Sequence, residues 1–293
     1  MKLATCQVGN AGEEACILTE HGILPLSSVN RRAGTDWPTE LFRIIGEGRL
    51  DAMEQWYAAE KGSWMRELAI PPEDARFAPL YRNPRKIWGI GFNYVEDPSM
   101  LLSRPPDEEP VGFMKPDTTI IGHLDTILIP RQSNRTTAEA ELAIIIGKPC
   151  RNVGEDQAEI CIAGYTTALD VTADNIHKRN PRFLTRAKSF DTFFGFGPVL
   201  VTRGEALRIR EAVVETVING EVVHRNRVAN MRYPPARIVA FHSEVMTLLP
   251  GDVILTGTPG AAEIRDGDTA ECRITGFVPL VNRVTDLKSE RKN

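Results

Sequence analysis

The stretch TAEAELAIIIGK, residues 137 to 148, restricts the fold more than any other part of the chain. Its β-branched, apolar half reads as a buried strand. Yet Glu139 and Glu141 stand at the mouth of that run. Side chains alternate along a strand, so both carboxylates project from one face, roughly 7 Å apart. On a half-buried face they repel each other and lose hydration. One could take a proton, both could reach solvent, or a cation could lie between them.

The chain has 293 residues, enough for one large domain or two. Charged residues make up 25% of it, the net charge is −4, and no long block carries one sign. That excludes an evident nucleic-acid or membrane-binding surface. The longest apolar runs, LAIII and DVILTG, are too short to cross a bilayer. The leading MKLATCQVGNAGEEAC has acidic residues where a secretory signal needs its apolar segment. Cys6, Cys16, Cys150, Cys161 and Cys272 are odd in number, scattered and without CxxC spacing. That is the pattern of reduced thiols, so the expectation is a cytoplasmic protein.

Residues 1–78 read as a small N-terminal α+β domain, with short strands in MKLATCQVG and EACILTEHGILPL. Helical spacing follows a cap-like Thr35/Asp36, and the proline-rich IPPEDARFAPLYRNPRK reads as a linker. Residues 79–293 read as a β-rich α+β domain of short strands. Within it, INGEVV marks a hairpin and PPARIVAFHSEVMTLLPGD a helix ending in a turn.

The strand in CIAGYTTALDVTAD brings Asp170 near its carboxyl end, where it could meet the two glutamates. Three carboxylates on adjoining strands form an all-oxygen set suited to Mg²⁺ or Mn²⁺. Zinc suits it less, because no His or Cys falls at ligand spacing. A solvated acidic edge accounts for the same spacing.

Several motifs then follow one another in an order that resembles a known family. AEAELAIIIGK, AGYTTALDVTA, TRAKSFDTFFGFGP, INGEVV, LLPGDVILTGTPG and VPLVNRV, preceded by KIWGIGFNY and GFMKP, resemble the fumarylacetoacetate hydrolase superfamily over roughly residues 80 to 285. The nearest likeness is to acylpyruvase and 2-hydroxyhepta-2,4-diene-1,7-dioate isomerase-like members. The resemblance implies a mixed β-roll or sandwich and a homodimer. It also implies Mg²⁺ or Mn²⁺ held by Glu139, Glu141 and Asp170, which would answer why the glutamates are there. It assigns Lys188 to substrate oxygens beside the metal, and Thr258, with Thr256 and Tyr94, to substrate binding. Asp191 is a candidate partner for Lys188, and Lys115 before proline reads as an ordinary surface lysine.

The departures bear on the reaction. Hydrolytic members carry Asn-Tyr-x-x-His-x-x-Glu, whose His-Glu pair activates water. This chain reads NYVEDPSM, with Asp97 and Met100 in those places. Asp97, Glu96 beside it, or an acid in RPPDEEP could serve as the base, on a loop over residues 95–110 that would cover the site. His177 stands where the family has glutamine, and Asp174 where it has arginine. The expected activity is hydrolysis of a C–C bond in a 2-oxo (β-diketo) carboxylic acid through a metal-stabilised enolate. The alternatives are a decarboxylase, tautomerase, isomerase or dehydratase of the same type, or a homologue that binds ligand without turnover.

Overall fold

The computed structural model describes residues 1–8, 12–60, 62–103 and 108–289. Two mixed sheets form its frame. The larger runs, strand by strand, Gly22–Pro25, Glu13–Thr19, Lys2–Gln7, Val199–Thr202, Ile162–Thr172, Thr136–Ile146, Val253–Leu255, Ile87–Gly91 and Val111–Lys115. The smaller runs Glu221–Arg227, Val213–Ile218, Thr269–Ile274, Leu280–Asp286 and Thr126–Ile129. This is the β-rich α+β architecture that the sequence implies.

The long strand Thr136–Ile146 explains its own composition. Leu142, Ile144 and Ile146 join the core that lies between the two sheets, with Val214, Cys272 and Leu280. Ala143 and Ile145, on the opposite face, join a second core with Leu3, Ile17, Leu24, Ile44 and Met53 from the N-terminal segment. A strand covered on both faces needs apolar residues at every position, hence LAIII rather than alternation. Glu139 and Glu141 continue the face of Ala143 and Ile145, so the carboxylates stand at the rim of the second core.

The first 78 residues are stitched to the rest through the backbone. Lys2–Ala4 pair with Val199–Val201, which extends the large sheet into the N-terminal strands. The proline-rich stretch is also held, since Arg76–Phe77 pair with Cys6–Gln7. Thr35 and Asp36 cap nothing: Thr35 bonds Asn30 and Asp36 pairs with Arg49. The helix begins later, at Leu41, and a turn with Gly48 at φ 67° separates it from the helix Leu50–Ala59. The hairpin at INGEVV forms, with Asn219 and Gly220 at φ 52° and 85°, as a tight two-residue turn requires.

A chain of residues 79–293 alone would expose the edge of Val199–Thr202 and the apolar side of Phe194, Phe196 and Leu200. We expect that fragment to aggregate in size-exclusion chromatography with light scattering. A folded, monodisperse fragment would show instead that the N-terminal strands are not needed to cover that edge.

Candidate active site

Strand register assembles the acidic cluster. Asp170 lies directly opposite Glu139, and Ala168 opposite Glu141, so all three carboxylates share one face. One oxygen from each lies within 4.8 Å of the others. Asp170 and Glu141 are fully buried, and Glu139 is partly so.

The far edge of Thr136–Ile146 is paired in two pieces, with Val253–Leu255 against residues 143–145 and Ala261–Ile264 against residues 136–139. Between them the LTGTPG turn loops out beside Ala140–Leu142. There the Gly257 amide donates to Glu141. Gly257 has φ 94°, and a Cβ on it would sit 2.9 Å from Asn93 Cβ. Only glycine admits this approach. Buried Asn93 ties three segments together: Nδ2 donates to Thr256 O (2.7 Å) and Tyr233 O (3.0 Å), and Oδ1 accepts from Tyr233 N (2.8 Å). Sequence reading used Asn93 only as a landmark in GFNY; its function depends on chain segments 140 residues apart.

Two lysines hold the carboxylates. Lys188 Nζ donates to Asp170 Oδ2, to Thr172 Oγ1 at 2.9 Å and to Glu139 Oε2 at 3.3 Å. Lys115, which sequence reading placed at the surface, has a fully buried side chain. Its ammonium pairs with Asp170 Oδ1 at 2.7 Å and donates to the carbonyls of Val171 (3.3 Å) and Lys188. The missed signal was the alternation in VGFMK, where Phe113 and Lys115 share the inward face. Asp191 is exposed and is not the partner of Lys188.

Burial dominates the electrostatics. It raises the Glu141 carboxyl well above its ordinary value, helped by Asp170 and Glu139, and it raises Glu139. Burial pushes Asp170 the same way, but Lys115 and Lys188 overcome it and hold Asp170 below the usual range. Burial also drives Lys115 down to about 8 against the pull of Asp170. Lys188 resists burial through Asp170 and Glu139 and ends above its ordinary value. Three carboxylates thus face two ammonium groups, and among the described residues Glu141 accepts a hydrogen bond from the Gly257 amide and feels Lys188 without pairing with it. Fully ionised, this all-oxygen cluster would carry one negative charge in excess of the two lysines, a donor set that fits a hard divalent cation.

The other candidates divide. Tyr94 joins the cluster: its buried hydroxyl has no hydrogen-bond partner among the described residues, and burial with nearby Glu141 raises its pKa. Thr258 is partly buried, its hydroxyl bridging the amide and carbonyl of Gly260 at 3.2 and 3.1 Å. Thr256 has a structural task instead, since its buried hydroxyl donates to Leu142 O at 2.8 Å. Asp97 is exposed and accepts the Ser99 amide at 2.9 Å, which lowers its carboxyl pKa. It caps the turn Pro98–Ser103. Exposed Glu96 and half-buried His177, on the helix Asp174–Arg179, make no side-chain hydrogen bond or ion pair among the described residues. Asp174 pairs with Arg135 at 2.8 Å and Lys178 at 2.7 Å. Residues 104–107, within RPPDEEP, lie outside the described residues.

The family model for the fumarylacetoacetate (FAA) hydrolase C-terminal region matches residues 86–285. The chain belongs to the fumarylacetoacetate hydrolase family. Human mitochondrial oxaloacetate tautomerase is similar to this family member at 33% identity over 224 residues, 73% of this chain and 71% of that protein. The 5-carboxymethyl-2-hydroxymuconate delta-isomerase of Mycobacterium smegmatis has the same fold at a TM-score of 0.78, with 30% identity over 98% of this chain and 99% of its own. Maleylpyruvate hydrolase of Sphingobium sp. SYK-6, solved with manganese(II) and pyruvate, gives 0.78 at 25% identity, over 98% of this chain and 99% of its own.

Burial disfavours the charged form of Glu141, so replacing this ionisable group should stabilise the metal-free protein at neutral pH. We expect Glu141→Gln to raise its Tm by about 2–4 °C, the scale of about 1 kcal/mol in a chain of this size. The same variant should lose the binding of about one Mg²⁺ or Mn²⁺ per chain that calorimetry of the chelator-stripped parent would show. Asn93→Ala should cost about 2–3 kcal/mol in denaturant titration, because buried donors and acceptors lose their partner.

Proposed function

We propose that this chain is a divalent-metal-dependent enzyme acting on a 2-oxo carboxylic acid, moving a proton through the substrate enolate as a tautomerase or isomerase. The observation that carries this reading is the buried Lys188 ammonium amid three convergent carboxylates, while the candidate water-activating groups Glu96, Asp97 and His177 are not joined to them among the described residues. A divalent cation on Glu139, Glu141 and Asp170 would supply Lewis-acid polarisation of the 2-oxo group.

The chain's own residues do the rest. Lys188, held in one orientation, presents positive charge where negative charge develops on the enolate oxygen. Tyr94 offers a hydroxyl without a partner among the described residues, near Glu141, able to bind a substrate oxygen or carry a proton at Oη. The turn of Thr256–Gly260 offers the Thr258 hydroxyl and backbone amides to the substrate carboxylate. Proton transfer within an enolate needs no activated water, which suits a site whose family His-Glu positions are Asp97 and Met100. The human relative named as an oxaloacetate tautomerase supports the same choice.

C–C hydrolysis is the second reading, favoured by the likeness to maleylpyruvate hydrolase with its manganese and pyruvate. The proposal includes a cytoplasmic homodimer without nucleic-acid or membrane partners. Free, buried cysteines support a reducing compartment. Exposed Phe92, Met100, Leu102, Val111 and Met114, clustered in sequence about the edge strand Val111–Lys115, support a second copy.

The test is a panel of oxaloacetate tautomerisation and acylpyruvate cleavage with Mg²⁺ or Mn²⁺. Lys188→Ala should lower tautomerisation by about 10²–10³, the scale of losing one fixed electrostatic stabiliser of the oxyanion. Asp97→Ala should leave it within about twofold, as for a surface change. Abolition by Asp97→Ala with metal binding intact would overturn the reading, making the aspartate the acid/base.

A further inference from the structure

Phe113 lies on the edge strand Val111–Lys115, directly opposite Gly89 of the antiparallel strand Ile87–Gly91. A Cβ built on Gly89 would come 2.1 Å from Phe113 Cζ, so the ring lies across the glycine backbone. The Lys188 ammonium sits 4.5 Å from the centroid of that ring. Phe113 and Lys188 are 5% and 6% exposed, so the contact is largely desolvated. Two residues further along the same face, Lys115 donates to the carbonyl oxygen of Lys188. One strand therefore grips Lys188 twice, at its charged end and at its backbone.

We infer that Phe113 is a positioning residue for Lys188, and that Gly89 is glycine to admit its ring. A lysine ammonium is a point charge on a flexible four-carbon stem, and its direction must be supplied by its surroundings. Its donors here point to Asp170, Thr172 and Glu139. The aromatic face supplies what those oxygens do not: an attraction through the ring quadrupole and a wall against water. Phe113 offers no ligand atom to a cation on the carboxylates, so its effect on reaction would pass through Lys188. This inference rests on the catalytic role proposed for Lys188.

The decisive experiment replaces Phe113 with phenylalanines carrying one, two and three ring fluorines, which keep its shape while draining the negative face. The expected result is a stepwise fall in kcat for oxaloacetate tautomerisation, reaching about 2- to 30-fold, the range of cation–π contacts. Mg²⁺ affinity should stay constant, and Gly89→Ala should act in the same direction by displacing the ring. A flat series, with only Phe113→Leu lowering Tm, would make Phe113 a space filler and overturn the inference. The parent's own lack of turnover would sink the proposed function separately. The same series read by Tm then decides: it should fall stepwise in the parent and stay level in Lys188→Met. Equal slopes in both backgrounds would overturn the inference.

Discussion

One buried carboxylate, Asp170, is shared between two buried ammonium groups, and the arrangement of the site depends on it. Its oxygens take Lys115 on one side and Lys188 on the other. Each of these charges would be strongly unfavourable to bury alone, and each is tolerated because the others are in place. The three groups come from separate parts of the chain: a central strand, an edge strand and the short helix Leu184–Lys188. A network of this kind is cooperative, since removing any member strands the remaining charges in a low dielectric. It also fixes geometry, which a solvated ion pair would not.

The network balances Asp170 but leaves Glu141 over. That carboxylate is pinned by the Gly257 amide in a turn that Asn93 holds from behind, so it cannot swing away to solvent. A carboxyl whose ionisation is disfavoured is thereby built into the rigid part of the fold, where a divalent cation would stabilise its charged form. A cation there would in turn bias the site toward anionic oxygen ligands. Rigidity of this kind suits enolate chemistry, in which charge develops at one oxygen and fixed charges need not rearrange to meet it.

The loop after Ile87–Gly91 has been put to a different use from the one its position in the family suggests. Asp97 commits its carboxylate to the Ser99 amide at the head of a short helical turn. Phe92, 82% exposed, holds a positive φ of 55°, a conformation that a bulky residue adopts only when its surroundings impose it. Its neighbour Asn93 is anchored to Tyr233 and Thr256. The loop is thus fixed at its base by a buried amide, while Glu96 and Asp97 face outward.

Local pattern was enough to establish a buried strand at AELAIIIG, a second strand with Asp170 near its carboxyl end, the INGEVV hairpin and the placing of Glu139 and Glu141 on one face, because strand alternation is a local rule. The motif order of the family did the same for Lys188 and the LTGTPG turn. What the sequence could not show is which distant groups meet. Lys115 looks like any lysine before a proline until the register of Val111–Lys115 against Ile87–Gly91 turns it inward onto Asp170. Thr256 and Asp97 offer the right functional groups, yet their neighbours in three dimensions, Leu142 O and Ser99 N, consume them. Asn93 and Phe113 stand in recognisable patterns, yet nothing local says which groups they touch. Burial and hydrogen-bond satisfaction are properties of contacts far apart in the chain, and only the tertiary structure decides them.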